Sequence, residues 1–185
     1  NNKIPFYFSS TTTDYDDEDK KKWGKESNYD SPQMVHTLYQ FQRPTSEFFD
    51  DFMKIFKEID CIGNDIMSVF RMKINLNFPS NKSNKKLHQN IHNDIGRYDV
   101  NKYDNFHKSV LLYLNDSDGD TIFFNDDNKE IDRVSPKKGL ALIFDSTINH
   151  TGQNPIKSTH RYVLNSIIIP HSLKEEVMNL RMNNK

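Results

Sequence analysis

The stretch NIHNDIGRYD, residues 90–99, sets His92 and Asp94 one residue apart. On a strand or an extended loop, side chains at i and i+2 face the same way, so an imidazole and a carboxylate there can grip one metal ion from one side. His150 follows far downstream, in NHTGQNP. An antiparallel sandwich can lay two such distant segments side by side. Two imidazoles and one carboxylate on one face leave three octahedral positions open, the ligand set used for Fe(II) oxygen chemistry. Neutral imidazoles favour Fe(II) over Mg or Ca, which prefer all-oxygen sites. H-x-D alone arises often by chance, so the weight rests on the combination.

Arg161 opens the run RYVLNSIII. A guanidinium at a strand start inside a barrel is unfavourable unless an anion pairs with it. A dicarboxylate co-substrate would supply that anion in a two-point grip. The alternative is a surface Arg paired with an Asp. Asn and Lys together make 40 of the 185 residues, whereas Arg contributes six. Both common residues have AT-rich codons, which points to genome bias. Where Lys is the default cation, an Arg is more informative, because its planar fork does what an ammonium cannot.

The elements that must position these residues are short strands behind one helix. PTSEFFDDFMKIFKEID, residues 44–60, reads as an amphipathic helix with Phe48, Phe49, Phe52, Ile55, Phe56 and Ile59 on its apolar face. Ser46 is the expected N-cap, and the Phe stripe is core packing. After residue 65 the period changes. SVFRMKINLNF (68–78) alternates, with Phe70, Met72, Ile74, Leu76 and Phe78 on one face and Val69, Arg71 and Lys73 on the other. Strands are also expected at 109–115, 121–125, 129–136, 140–145 and 161–169. The turn PKKG leaves Gly139 able to take positive φ. No helix fits between these strands, which excludes parallel βαβ units. The expected class is mainly β, a jelly roll (double-stranded β-helix, cupin-like) with flanking α-helices. Residues 1–65 form an N-terminal extension with the supporting helix, 66–170 the core, and 171–185 a last helix of the same domain. Ser172 and Glu175 have capping-box spacing there.

Bulk properties exclude several classes. With 25 basic against 26 acidic residues, no overall electrostatic case for nucleic acid exists. Cys61 is the single cysteine, which rules out a disulfide framework or a cysteine zinc site within one chain. No apolar run approaches the roughly 18 residues of a membrane span, and no signal peptide is visible. A cytoplasmic location is expected, although the chain begins Asn-Asn-Lys without Met, which leaves an upstream targeting piece open. TTTDYDDEDKKK (11–22) reads as a solvated loop. PSNKSNKKLHQN (79–90) carries basic residues near the mouth of the site that are expected to stay solvated.

HND, SVLLYLND, GDTIFF, VSPKKGLALIFDS, NHTGQNP and HRYVLN, in that order, resemble the catalytic domain of the 2-oxoglutarate and Fe(II)-dependent oxygenases. The branch they most resemble is the prolyl 4-hydroxylase-like group, including bacterial and phage versions. The resemblance runs from about residue 66 to 169, and its order and spacing make it specific. It implies His92, Asp94 and His150 as iron ligands, and Arg161 as the partner of the C5 carboxylate of 2-oxoglutarate. It implies Tyr113 as a hydroxyl on the same carboxylate. Many prolyl 4-hydroxylases place Lys at the anchor, so Arg161 departs toward the oxygen-sensing and bacterial versions. His160, one residue earlier, should face the other way. Asn165 shares the face of Arg161 and is expected to line the pocket.

The implied reaction is hydroxylation of a C–H bond coupled to decarboxylation of 2-oxoglutarate to succinate. It would use Fe(II), 2-oxoglutarate and O2, with ascorbate as a possible addition. The implied substrate is a prolyl residue in a peptide or protein. The tyrosine-rich loop IGRYDVNKYDNFHK, between Asp94 and Ser109, is expected at the substrate rim. Three other readings compete. A zinc hydrolase would need Glu after His88, where Gln89 stands. A same-fold oxygenase acting on a small molecule or nucleic acid differs in substrate alone. A non-catalytic jelly-roll binding module would have no reason to keep His, Asp, His and Arg in this order. The oligomeric state is not legible.

Overall fold

The computed structural model describes residues 3–10, 31–60, 62–79, 88–95 and 106–173. In chain order these form β1 (Tyr7–Ser9), β2 (Gln33–Gln40), β3 (Arg43–Pro44), α1 (Phe49–Lys57), β4 (Ile66–Asn77), β5 (Lys108–Tyr113), β6 (Thr121–Phe124), β7 (Glu130–Val134), β8 (Ala141–Asp145), β9 (Asn149–Gly152) and β10 (Arg161–Pro170). One sheet runs β1-β2-β4-β10-β5-β8, with β3 on β2, and a second runs β7-β6-β9. Every pairing is antiparallel. The chain crosses between the sheets after β5, β7, β8 and β9, which makes the expected jelly roll.

The strands foreseen at 68–78, 109–115, 121–125, 129–136, 140–145 and 161–169 all form, with ends within two residues. β9, which carries His150, was not expected as a strand. Asn149–Gly152 is four residues long and ends in Gly, so it shows no alternation to read. β1, β2 and β3 extend the larger sheet beyond β4 with residues from the N-terminal segment.

The helix is shorter than its periodicity suggests. Arg43 and Pro44 pair with Gln40 and Tyr39 as a strand, and the helix begins after Phe48. Ser46 does not cap it in the expected way, because Phe48 holds the N-cap without a side-chain bond. The Ser46 hydroxyl instead lies between His36 Nε2, at 2.8 Å, and the Phe48 N–H, at 3.1 Å. Ile55 falls off the apolar stripe and is exposed, while Met53 packs inward.

The two faces of the larger sheet differ in kind. On one, Met72, Ile74, Val110, Leu112, Leu164 and Ile168 pack with Leu38 and with Phe56 of α1 to form the main core. Phe70 and Phe78, placed on that apolar face by alternation, end up exposed at its margins. The other face looks at the smaller sheet and carries Arg71, Lys73, Asn75 and Asn77 of β4, Ser109 and Tyr113 of β5, and Arg161 and Asn165 of β10. An alternating strand often turns its polar side to water. Here the polar side of β4 floors an interior.

Gly139 takes φ +84° in the turn before β8, as expected. His171–Leu173 forms a 3-10 turn in which Ser172 donates to Asp65 Oδ2 at 2.7 Å. The expected C-terminal helix beyond Leu173, its capping box with Glu175, the 11–22 segment, and most of the 79–90 and 95–108 segments lie outside the described residues. Among those described, no helix is long and apolar enough to cross a membrane.

Candidate metal centre and anion pocket

The segment before Asp94 runs antiparallel beside β9, with isolated bridges His88↔Gln153 and His92↔His150. The His92 N–H donates to the His150 carbonyl at 2.9 Å, and the His150 N–H donates back at 2.8 Å. This sets the two imidazoles opposite each other, ring centroids 4.7 Å apart. The Asp94 N–H donates to the Ser146 carbonyl at 3.0 Å and holds the carboxylate on the same side as His92. Ligand atoms of His92, Asp94 and His150 all lie within 4.8 Å of one another. Among the described residues this is the one such grouping of His, Cys, Asp or Glu.

The donor set fits a metal such as Fe(II). Nδ1 of His92 lies 3.0 Å from the Asn90 carbonyl, and Nδ1 of His150 lies 3.0 Å from the Ile148 carbonyl. A carbonyl only accepts, so each Nδ1 carries the proton and each Nε2 keeps its lone pair for a metal. Burial, reinforced by His150, pushes His92 down to about 4, against the pull of Asp94, so it is neutral at pH 7. Burial alone would raise Asp94, but His150, Arg71, His92 and the Ser109 hydroxyl hold it well below the usual carboxylate range. Ser109 Oγ donates to Oδ2 at 2.6 Å, and Arg71 Nη2 donates to Oδ1 at 2.9 Å. Phe144 sits edge-on to His150 at 4.9 Å and Phe123 packs on Phe144 at 5.0 Å, a hydrophobic wall beside the ligands.

Arg161 lies at the far end of the same interior face and is 6% exposed. Its Nε donates to the Gly119 carbonyl at 2.8 Å, its Nη2 to Thr121 Oγ1 at 2.8 Å, and its Nη1 meets Asn77 Oδ1 at 3.5 Å. All three acceptors are neutral; Asp120 acts on the guanidinium through space only, its carboxylate being engaged by Arg133 at 3.0 Å and Ser135 at 2.7 Å. A buried cation whose hydrogen-bond partners are all neutral is disfavoured unless a ligand adds a counter-charge. Tyr113 is fully buried, its ring 5.7 Å from the guanidinium carbon, and its hydroxyl donates to Thr121 Oγ1 at 2.6 Å. Two glycines shape this seat. A Cβ on Gly152 would come within 3.2 Å of Nη1, and one on Gly119 would strike the Gln153 carbonyl at 2.4 Å.

The structure thus brings His92, Asp94 and His150 together, and Arg161 and Tyr113 together. His160 turns away as expected and stacks edge-on with Tyr162 at 4.9 Å. Asn165 shares the face of Arg161, and its amide points to Asp94 Oδ1 at 3.4 Å. Four residues of strand put it roughly 13 Å from Arg161, at the metal end and not beside the anion seat. Arg71, Ser109, Thr121 and the two glycines were missed. Ser109 shares the parity of Tyr113 on β5 and Arg71 is a rare Arg on an alternating strand, so both carried a faint signal. Thr121 carried none.

A family model described as the 2OG-Fe(II) oxygenase superfamily matches residues 80–168. No curated protein sequence matches the chain. Among solved structures, an oxidoreductase of the 2OG-Fe(II) oxygenase family from Burkholderia pseudomallei superposes with TM-score 0.59 at 12% identity, over 90% of this chain and 73% of that one. A prolyl-4-hydroxylase from Pseudomonas putida gives TM-score 0.49 at 18% identity, over 74% and 71%. A Trichoplax adhaerens prolyl hydroxylase, in complex with a hypoxia inducible factor oxygen degradation domain peptide fragment, gives 0.49 at 17%, over 76% and 64%.

Proposed function

We propose that this chain is a 2OG-Fe(II) oxygenase in which His92, Asp94 and His150 hold the iron and Arg161 and Tyr113 anchor the far carboxylate of 2-oxoglutarate, and that its substrate is a prolyl residue in a peptide or protein. The enzyme is a 2-oxoglutarate-dependent dioxygenase that uses Fe(II), 2-oxoglutarate and O2. The observation that carries the site reading is Arg161, a buried guanidinium whose hydrogen-bond acceptors are all neutral, on the same interior face as the candidate metal cluster. The prolyl reading rests on the ordered motifs HND, SVLLYLND, GDTIFF and HRYVLN.

Fe(II), when bound, supplies O2 activation, which couples decarboxylation of 2-oxoglutarate to succinate and carbon dioxide with insertion of the second oxygen atom into a substrate C–H bond. The protein residues provide position. The Asn90 and Ile148 carbonyls hold both Nδ1 atoms, which would leave each Nε2 free to ligate the metal. Arg161 takes the anionic end of the co-substrate in a charge-assisted pair, which fixes its orientation before reaction. Phe123 and Phe144 keep water from the His150 side.

The test is turnover with Fe(II), 2-oxoglutarate and a library of proline-containing peptides. The expected result is succinate formed in step with a peptide that gains one oxygen atom on proline, both abolished in His92→Ala. No succinate under any condition contradicts the site assignment. Succinate without peptide oxidation moves the substrate to a small molecule or nucleic acid.

A further inference from the structure

Arg71 is one of six arginines in a chain whose common cation is lysine. It lies on the inward face of β4, opposite Ile167 of β10. Its Nη2 reaches Asp94 Oδ1 at 2.9 Å, where Asn165 Nδ2 also arrives at 3.4 Å. Oδ2 has a different environment. It accepts the Ser109 hydroxyl at 2.6 Å and lies 3.6 Å from His150 Nε2. The two oxygens of one carboxylate are therefore not equivalent, with Oδ1 turned to the cation and Oδ2 to the other ligand.

Arg71 gives up one donor to hold this position. Among the described residues its Nε is buried without a hydrogen-bond partner, and a buried, unpaired donor is destabilising. A lysine would bring the charge without that donor. What lysine lacks is the planar fork that gives the interaction a direction. A carboxylate can ligate a metal through one oxygen or both. With two imidazoles, one-oxygen ligation leaves three octahedral positions, whereas two-oxygen ligation leaves only two. Chelation of 2-oxoglutarate consumes two and O2 needs a third.

We propose that Arg71 is a positioning residue of the metal centre: by holding Asp94 Oδ1 against β4 it limits the carboxylate to one-oxygen ligation through Oδ2, and so preserves the position that the second oxygen would occupy. This rests on the reading of His92, Asp94 and His150 as metal ligands.

The test uses the full chain, loaded anaerobically with Fe(II) and titrated with 2-oxoglutarate. Calorimetry follows each binding step, and the visible charge-transfer band of the chelate is recorded. Arg71→Met is expected to keep its metal, shift the band, and weaken 2-oxoglutarate binding roughly tenfold, in the range for loss of a group supporting a ligand. Arg71→Lys, with the charge but not the fork, is expected to shift the band in the same direction. A wild-type spectrum and wild-type 2-oxoglutarate affinity in Arg71→Met overturns the proposal. If that variant does not fold, the same result in Arg71→Lys overturns it. A wild-type protein with no band at all removes the ligand assignment itself, and the proposal with it, whereas a band that ignores Arg71 removes the proposal alone.

Discussion

His92 and His150 exchange both of their main-chain hydrogen bonds, at 2.9 and 2.8 Å, and this reciprocal pair sets the two imidazoles of the candidate metal cluster opposite each other. The bridge is isolated, flanked by no long ladder on the His92 side. The candidate ligands thus sit where a jelly roll brings a loop against its smaller sheet. Arg161 is fixed separately, by the turn before β6 and the start of β10.

Thr121 joins the two halves of the anion seat, accepting from Tyr113 at 2.6 Å and from Arg161 at 2.8 Å. Thr121→Val keeps the shape and removes the acceptor. Two buried donors then lose their partner, each at a cost on the order of 1–3 kcal/mol. The expected outcome is a clearly lower denaturant midpoint together with weakened 2-oxoglutarate binding. Unchanged values in both assays would contradict the linkage.

Gly152 lies beneath the guanidinium, and an added Cβ would stand 3.2 Å from Nη1. Because Arg161 is pinned by Gly119 and Thr121, it cannot retreat freely. Gly152→Ala is expected to raise the 2-oxoglutarate Kd on the order of tenfold, an overpacking penalty of about 1–2 kcal/mol. Metal affinity, measured by calorimetry, should stay within about twofold, since no metal ligand is touched.

Asp118 ties down the loop that leads into Arg161. Its carboxylate accepts the N–H groups of Ile156, Lys157 and Ser158 at 2.9–3.3 Å. Burial would raise its pKa, but these backbone donors outweigh it and lower the group from 3.8 to about 2. Protons therefore bind the unfolded chain first, so this stabilisation is complete above pH 3.8 and is lost as pH falls through about 2. Urea midpoints measured from pH 6 to pH 2 should show that loss. Asp118→Asn should be less stable at pH 6 and show a shallower acid decline.

Phe56 is fully buried between α1 and the outer face of the larger sheet, away from the site. Phe56→Ala is expected to lose about 3–5 kcal/mol of stability. The folded fraction at low temperature should bind 2-oxoglutarate as the wild type does. A specific loss of co-substrate binding in that fraction would mean that α1 shapes the site directly.

Much of this was legible because its signals are local. The alternation through Arg71, Lys73 and Met72, Ile74 marks β4, and the H-x-D spacing puts two candidate ligands on one side whatever the surrounding strand. What stayed hidden needs three dimensions. Alternation says that Arg71 and Met72 face apart, but not which of them looks into the barrel. β9 is too short to show a period, so His150 was legible as a candidate ligand while its strand was not. The helix was read too long because Ile59 continues the apolar spacing. In the structure the chain turns after Lys57, and Gly63 approaches the Lys57 carbonyl so closely that an added Cβ would lie 1.8 Å from it. Asn165 was placed on the pocket face by alternation alone, and which end of that face it serves needs the structure, where its amide lies at Asp94.

The most direct measurement is an anaerobic titration of 2-oxoglutarate into the Fe(II)-loaded chain, followed in the visible. A charge-transfer band that saturates with 2-oxoglutarate is expected for wild type. It should be absent in Asp94→Ala, and reached only at much higher 2-oxoglutarate in Arg161→Met. A folded, iron-loaded protein that shows no band, or one whose band ignores both substitutions, would contradict the assignment of the metal centre and its anion seat.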